Sequence, residues 1–237
     1  MAYLSCRDES RKGLCWALVL CLFASLGLSQ TFDDLVSPGL LDWATEQYGA
    51  GIVGELTAWG QLVMEQNRGR KDLDKLQAVN RYFNRKIHFR SDQSHWQQED
   101  YWATPVESIG SGGGDCEDYV IAKYFSLIQA GVEQSRLRIT YVKALKLNQA
   151  HMVLAYYATP NADPLILDNL TSRIEPASRR PDLSPVYSFN GLGMWLERMK
   201  GGSIRVGDPK RLNMWMDLLI RMEEQKQTAW LALPNRR

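Results

Sequence analysis

The hydrophobic period of this chain changes just after Gly131, and this change constrains the fold more than any other feature of the sequence. Upstream, apolar residues recur at three- and four-residue steps through residues 33–86, a pattern that predicts amphipathic helices. Downstream, the period is two and β-branched and aromatic residues are frequent, which predicts strands. The predicted strands are residues 137–144, 151–158, 165–168, 185–190 and 194–196.

Between these two parts lies a helix that we expect to be buried, because residues 115–129 carry apolar side chains on most faces. A polar loop over residues 90–107 and a glycine run are predicted to lead into it. A last helix is predicted over residues 209–227, since proline suits a first helical turn. The sequence therefore predicts an α+β fold, with a helical N-terminal part and a central helix packed on an antiparallel sheet.

The first 29 residues are typical of a secretory signal, in which basic residues precede an apolar run over residues 13–28. The small residues Gly27 and Ser29 occupy the third-last and last positions before a predicted cut after Ser29. The run is short for a membrane span, which needs about 20 apolar residues. An uncleaved N-terminal anchor is the alternative. We therefore predict that a single domain over residues 30–237 leaves the cytoplasm.

Cys116 is the one cysteine outside the predicted signal, since the other three of the four cysteines precede residue 30. Structural cysteines of exported proteins usually come in pairs, so a lone thiol favours a chemical role over an inert buried one. Cys116 starts the central helix, where unpaired N–H groups and the helix dipole favour a thiolate. The preceding glycines leave backbone N–H groups free to stabilise an oxyanion.

Two further residues complete a candidate catalytic set. His151 opens one predicted strand and can act as the general base for the thiol, while Asp168 closes another and can orient the imidazole. Taken alone, His151 could be an ordinary core histidine and Asp168 a turn residue. Together with Cys116, they follow the chain order of a cysteine-nucleophile hydrolase, which favours the catalytic interpretation.

Three carboxylates, Asp115, Glu117 and Asp118, surround the predicted nucleophile. In one interpretation they cap the central helix and complement its dipole. They should also raise the pKa of the thiol and oppose the thiolate. A bound hard cation would cancel that field, and oxygen ligands on a tight turn suit Ca²⁺. The sequence therefore predicts a calcium site, although the motif alone is weakly specific for this ion.

Four segments resemble the bacterial transglutaminase-like cysteine proteinases, and among them the periplasmic, adhesin-releasing Lap-type proteases. The segments are WATPVE at 102–107, GDCEDY at 114–119, HMVL at 151–154 and LILDN at 165–169. The resemblance spans about residues 43–206 and implies a papain/transglutaminase-like fold with its catalytic core over residues 100–206. Trp102 either lines the substrate groove or packs in the core. The resemblance further implies a Cys116–His151–Asp168 triad and a calcium ion held near Asp115, Glu117 and Asp118.

The resemblance also implies a substrate and a regulator. In this family the protease cuts the N-terminal region of a large outer-membrane adhesin, and an inner-membrane cyclic di-GMP receptor sequesters the protease. We therefore expect a calcium-dependent periplasmic cysteine endopeptidase that controls biofilm attachment. Two alternatives remain, namely acyl transfer to an amine by the same triad, as in a transglutaminase or amidase, and a non-catalytic receptor-binding module. The formal net charge of +1 makes no case for nucleic acid.

Overall fold

The computed structural model describes residues 35–197 and 203–231, so the predicted signal over residues 1–29 lies outside the described residues. None of the helices in these two ranges is both long and apolar enough to cross a membrane. The helices are α1 (Pro38–Tyr48), α2 (Ile52–Asn67), α3 (Asp72–Lys86), α4 (Asp92–His95), α5 (Pro105–Ser111), α6 (Cys116–Gln129) and α7 (Asn213–Leu231), and 3₁₀ turns occupy Gln134–Arg136, Ala177–Arg179 and Pro209–Arg211.

The strands form two sheets. A short parallel pair joins β1 (His88–Phe89) to β2 (Gly113–Gly114). The larger sheet contains β3 (Leu137–Ala144), β4 (Gln149–Tyr156), β5 (Leu165–Leu167), β6 (Glu175–Pro176), β7 (Leu183–Asn190), β8 (Gly193–Glu197) and β9 (Ser203–Gly207). Its seven strands are ordered β6-β5-β4-β3-β7-β8-β9, and neighbouring strands are antiparallel.

The helix α6 lies between the helical N-terminal part and the sheet, where it packs on α3 and β4. Most of its apolar side chains are buried, and Phe125 and Ile128 are partly buried, which confirms the prediction of a buried central helix. Removing apolar surface of this kind from water contributes about 25 cal/mol per Å². The fully buried apolar residues of α6 are Val120, Ile121, Ala122, Tyr124 and Leu127.

The prediction of a continuous loop over residues 90–107 was wrong, because α4 and the start of α5 fall inside it. Helix α5 begins where a capping box and a proline coincide. The Thr104 hydroxyl accepts a hydrogen bond from the Glu107 N–H at 3.2 Å, and the Glu107 carboxylate accepts one from the Thr104 N–H at 2.8 Å. Pro105 occupies the first helical turn, where its missing N–H costs nothing.

Other element boundaries also differ from the predictions. Helix α2 continues to Asn67 through a polar stretch, because Glu65 and Gln66 are good helix formers. Pro209 lies in a 3₁₀ turn and α7 begins only at Asn213. Strand β9 was not predicted, and β4 begins two residues before His151.

The C-terminal helix α7 packs on α1 and is fastened to the segment before α5. The Arg221 guanidinium donates to the Tyr101 hydroxyl at 2.5 Å, to the Trp102 carbonyl at 2.6 Å and to the Glu107 carboxylate at 2.5 Å. One turn further on, Gln225 donates to the other Glu107 oxygen at 3.1 Å. These bonds connect α7 to the chain that leads towards Cys116.

Candidate active site

Cys116 is the first residue of α6 and the only free cysteine among the described residues. The turn before it is shaped by Asp118, whose carboxylate accepts from the N–H of Asp115 at 3.2 Å and from the N–H of Ala103 at 2.7 Å. A Cβ atom on Gly114 would lie 2.5 Å from an Asp118 oxygen. Only glycine therefore allows this carboxylate to reach back over the turn and present Cys116 at the helix N-terminus.

The thiol is half-buried and donates a hydrogen bond to the Glu117 carboxylate at 3.0 Å. Burial, the charge and hydrogen bond of Glu117, and the charge of Asp115 raise the pKa of the Cys116 thiol. The backbone N–H of Met152 acts in the opposite direction, so the sulfur lies beside the residue that follows His151 in β4. Among the described hydrogen bonds, the thiol is paired with Glu117 and not with the imidazole.

His151 and Asp168 are brought together, with 2.8 Å between Nε2 and Oδ1 and side-chain exposures of 3% and 0%. Asp168 directly follows β5. Burial opposes its ionisation, but hydrogen bonds from His151, the Leu170 N–H and Arg180 outweigh burial and lower the pKa of Asp168 to about 2. An ionised carboxylate only accepts hydrogen bonds, so His151 donates from Nε2, and in the neutral imidazole Nδ1 is then the nitrogen with the lone pair.

Two residues that were not predicted hold Asp168 in place. Arg180 donates from Nη2 to Asp168 Oδ2 at 2.7 Å, and its side chain is 6% exposed. Asn84 on α3 donates to the Asp168 carbonyl oxygen at 2.8 Å. Both reach Asp168 through tertiary packing, and neither stands in a local pattern that indicates this contact.

An acidic cluster lies beside the thiol and is larger than the sequence indicated. Asp92, Asp100 and Glu117 each place one oxygen within 4.8 Å of the others, and Asp92, Asp115 and Asp118 do the same. We call these five residues the acidic cluster. Asp92 and Asp100 were not predicted, because they stand in a polar segment where acidic residues are common and join the cluster only through the fold.

Buried oxygens without donors indicate that the acidic cluster suits a cation. Oδ1 of Asp92 and Oδ1 of Asp115 are buried and have no hydrogen-bond partner among the described residues. Burial first, and then neighbouring carboxylates, raise the pKa of Asp92 to about 6 and that of Asp115 to about 8. A hard cation such as Ca²⁺ binds several carboxylate oxygens and would compensate this negative charge.

Trp102 packs in the core. Its side chain is 6% exposed, and its ring stacks on Phe189 with 5.7 Å between the ring centroids. Of the two roles that the sequence left open for Trp102, the structure therefore supports packing over lining a groove.

The arrangement supplies the parts of covalent catalysis by a thiol. Cys116 offers a nucleophile, His151 on the strand β4 that packs against α6 offers a base, and a buried carboxylate fixes its imidazole. A nucleophile, a base and an orienting group on adjacent elements support acyl transfer from an amide or ester.

The chain is similar to a protein family and to solved structures of a relative. Residues 57–182 match the family described as bacterial transglutaminase-like cysteine proteinase BTLCP. A structure of Legionella pneumophila LapG matches with 45% identity and a TM-score of 0.67, over 77% of this chain and 95% of that chain. Searching the curated proteins found no match.

Two further LapG structures from L. pneumophila match at 44% identity over 77% of this chain. One is described as EGTA-treated, with a TM-score of 0.67 and 95% of its own chain covered. The other is described as calcium-bound, with a TM-score of 0.66 and 97% of its own chain covered. These similarities confirm the predicted transglutaminase-like α+β fold.

Proposed function

Because the chain belongs to the bacterial transglutaminase-like cysteine proteinase family and is a cysteine protease, we propose that it is a calcium-dependent periplasmic endopeptidase. Its proposed substrate is the N-terminal region of a large cell-surface adhesin. One observation carries the catalytic assignment. Cys116 starts α6 beside β4, and on β4 His151 binds the buried Asp168 at 2.8 Å.

In the proposed reaction Cys116 is the nucleophile and His151 is the acid and base. Nδ1 of His151 takes the thiol proton while the sulfur attacks the peptide carbonyl, and the imidazolium returns that proton to the leaving amine. This leaves a thioester on Cys116. The imidazole then deprotonates a water that attacks the thioester, which releases the new C-terminal carboxylate and restores the thiol. Asp168 stays ionised throughout and stabilises the imidazolium.

We propose that the acidic cluster holds calcium. The unpaired oxygens of Asp92 and Asp115 support this, as does the likeness to a LapG structure described as calcium-bound. Asp115 and Glu117 flank Cys116 in the chain, and Asp118 joins the cluster from its buried side. When bound, the cation supplies positive charge that offsets the carboxylates around the thiol and favours the thiolate.

We also propose the location, partner and regulation. The signal-like residues 1–29 support export to the periplasm. The four motifs shared with the Lap-type proteases support the adhesin as substrate. They likewise support an inner-membrane cyclic di-GMP receptor that sequesters the protease and so controls biofilm attachment. The formal net charge of +1 gives no support to a nucleic-acid partner.

The test mixes purified residues 30–237 with the N-terminal fragment of the host's large adhesin. Wild-type protein and a Cys116→Ala variant are each incubated with calcium and with a calcium chelator. Cleavage only by the wild type in calcium is the expected result. Cleavage in excess chelator would contradict the calcium requirement. Incorporation of an added amine without chain cleavage would favour acyl transfer, and normal adhesin release in cells by Cys116→Ala would favour a receptor-binding module.

A further inference from the structure

Both carboxylate oxygens of Asp168 are engaged, and each has a different partner. Oδ1 accepts from His151 Nε2 at 2.8 Å and from the Leu170 N–H at 3.0 Å. Oδ2 accepts from Arg180 Nη2 at 2.7 Å. The guanidinium therefore binds the oxygen that the imidazole does not use, and it does so in a site where Asp168 is 0% exposed.

Arg180 is itself fixed from the other side. Its Nε and Nη2 donate to the two carboxylate oxygens of Asp182 at 3.1 and 2.9 Å. The Asp182 carbonyl in turn accepts from the N–H of Leu145, the residue after β3, at 2.8 Å. Since β3 pairs with β4 along its whole length, the guanidinium is anchored to the same sheet that carries His151.

This anchoring has two physical consequences for Asp168. With one oxygen held, the carboxylate does not rotate about its Cβ–Cγ bond, so Oδ1 stays aimed at the imidazole. With a cation at 2.7 Å, the carboxylate stays ionised although it is buried. A carboxylate that was rotated or protonated would no longer select the imidazole tautomer with its proton on Nε2.

We propose that Arg180 is a positioning residue: through Asp168 it keeps the proton of His151 on Nε2 and leaves Nδ1 free to accept the thiol proton. This inference rests on the proposed function of Cys116, His151 and Asp168. Arg180 thus has a role in the reaction in addition to its structural role, in which it holds the segment that precedes β7 against the sheet.

Two control variants distinguish this positioning role from a purely structural contribution and from a general change in the electrostatic field. Asp182→Asn weakens the anchor of Arg180 but leaves its bond to Asp168, so it reports the purely structural contribution. Lys123→Met removes a buried amine that interacts electrostatically with Asp168, and burial lowers the pKa of this amine to about 7. Lys123 Nζ is fully buried and has no hydrogen-bond partner among the described residues, so this variant changes the field without removing a bond to Asp168.

Kinetics give the first readout. In Arg180→Gln we expect kcat to fall roughly 10- to 100-fold with KM little changed, the usual effect of removing an outer partner of a reacting group. Arg180→Lys keeps the charge but loses the planar fork, so its kcat should lie between those of the wild type and Arg180→Gln. In Arg180→Ala, guanidinium ion at non-denaturing concentration should restore part of kcat, whereas sodium chloride at equal ionic strength should not. Both control variants should retain kcat close to that of the wild type.

Imidazole ¹⁵N NMR gives a second readout that needs no substrate. In a Cys116→Ala background, the fraction of His151 with its proton on Nε2 should fall in Arg180→Gln and not in Asp182→Asn. If Arg180→Gln does not fold, the same measurement on Arg180→Lys decides. An unchanged tautomer, equal kcat losses in Arg180→Gln and Asp182→Asn, or full kcat in Arg180→Lys would overturn the proposal. If the wild type cleaves no adhesin fragment, the proposed function is wrong. The role of Arg180 can still be tested in that case, because the measurement of the His151 tautomer needs no substrate.

Discussion

Replacing Arg221 with alanine tests whether α7 supports the chain beside the acidic cluster. The guanidinium is 23% exposed and its partner Glu107 is 10% exposed. Removing one partner of a buried ion pair costs about 3–5 kcal/mol, and we expect the lower end because Arg221 is partly solvated. For a domain of this size, roughly 2–4 °C are lost per kcal/mol. Calorimetry should therefore show a Tm lower by about 6–12 °C.

The matched control is Arg70→Ala, since Arg70 forms an ion pair with Glu65 at 3.0 Å but both side chains are more than half exposed, at 53% and 59%. That loss should be at most about 1 kcal/mol. The Tyr101 N–H binds Asp92 of the acidic cluster at 2.6 Å, so Arg221→Ala should also weaken calcium binding in isothermal titration. Equal Tm losses in the two variants would refute the energetic reasoning, and an unchanged calcium affinity would refute the link to the cluster.

Two other predictions concern the turn at the thiol. Gly114→Ala should lower the Tm, because the added Cβ would lie 2.5 Å from an Asp118 oxygen. In the control Gly54→Ala on α2, the added Cβ meets nothing within 4 Å and should stabilise the protein by about 0.5–1 kcal/mol. Similar Tm shifts of the two variants in thermal melts would contradict this reasoning. In chelator, the folded chain holds the Asp115 proton more tightly than the unfolded chain does, because its pKa is raised from 3.8 to about 8. Stability should therefore fall as pH rises between these values, and Asp115→Asn should flatten the plot of Tm against pH. An unchanged slope would count against the raised pKa.

Local chemistry made part of the fold predictable. The start of α6 follows from the polar residues around Cys116, since caps and first-turn acids act within a few residues. The strand over residues 137–144 follows from its period and coincides with β3. Helix α5 was equally readable, because Thr104, Pro105 and Glu107 form a capping box with proline in the first turn. The aromatic and polar composition of residues 90–107 nevertheless favours a loop, and this composition conceals the capping signal.

Other parts of the site depend on packing that no local pattern encodes. Asp100 belongs to an exposed polar stretch and joins the acidic cluster only because α4 and the following chain fold over the start of α6. Both Arg180 and Asn84 form hydrogen bonds to Asp168, although Arg180 lies 12 residues after it in the chain and Asn84 lies 84 residues before it. The type of a residue indicates what it can bind, whereas the partner is set by the tertiary structure.

The hydrogen bonds from α7 to the segment before α5 have a consequence for the order in which the protein folds. An exported chain emerges from its N-terminus onwards, so Tyr101 and Glu107 emerge 118–120 residues before Arg221 and Gln225, which bind their segment. At that stage residues 101–107 still lack the side chains of α7 that bind them. A chain interrupted before residue 213 would therefore carry Cys116 and the acidic cluster without the hydrogen bonds that Arg221 makes to the neighbouring segment.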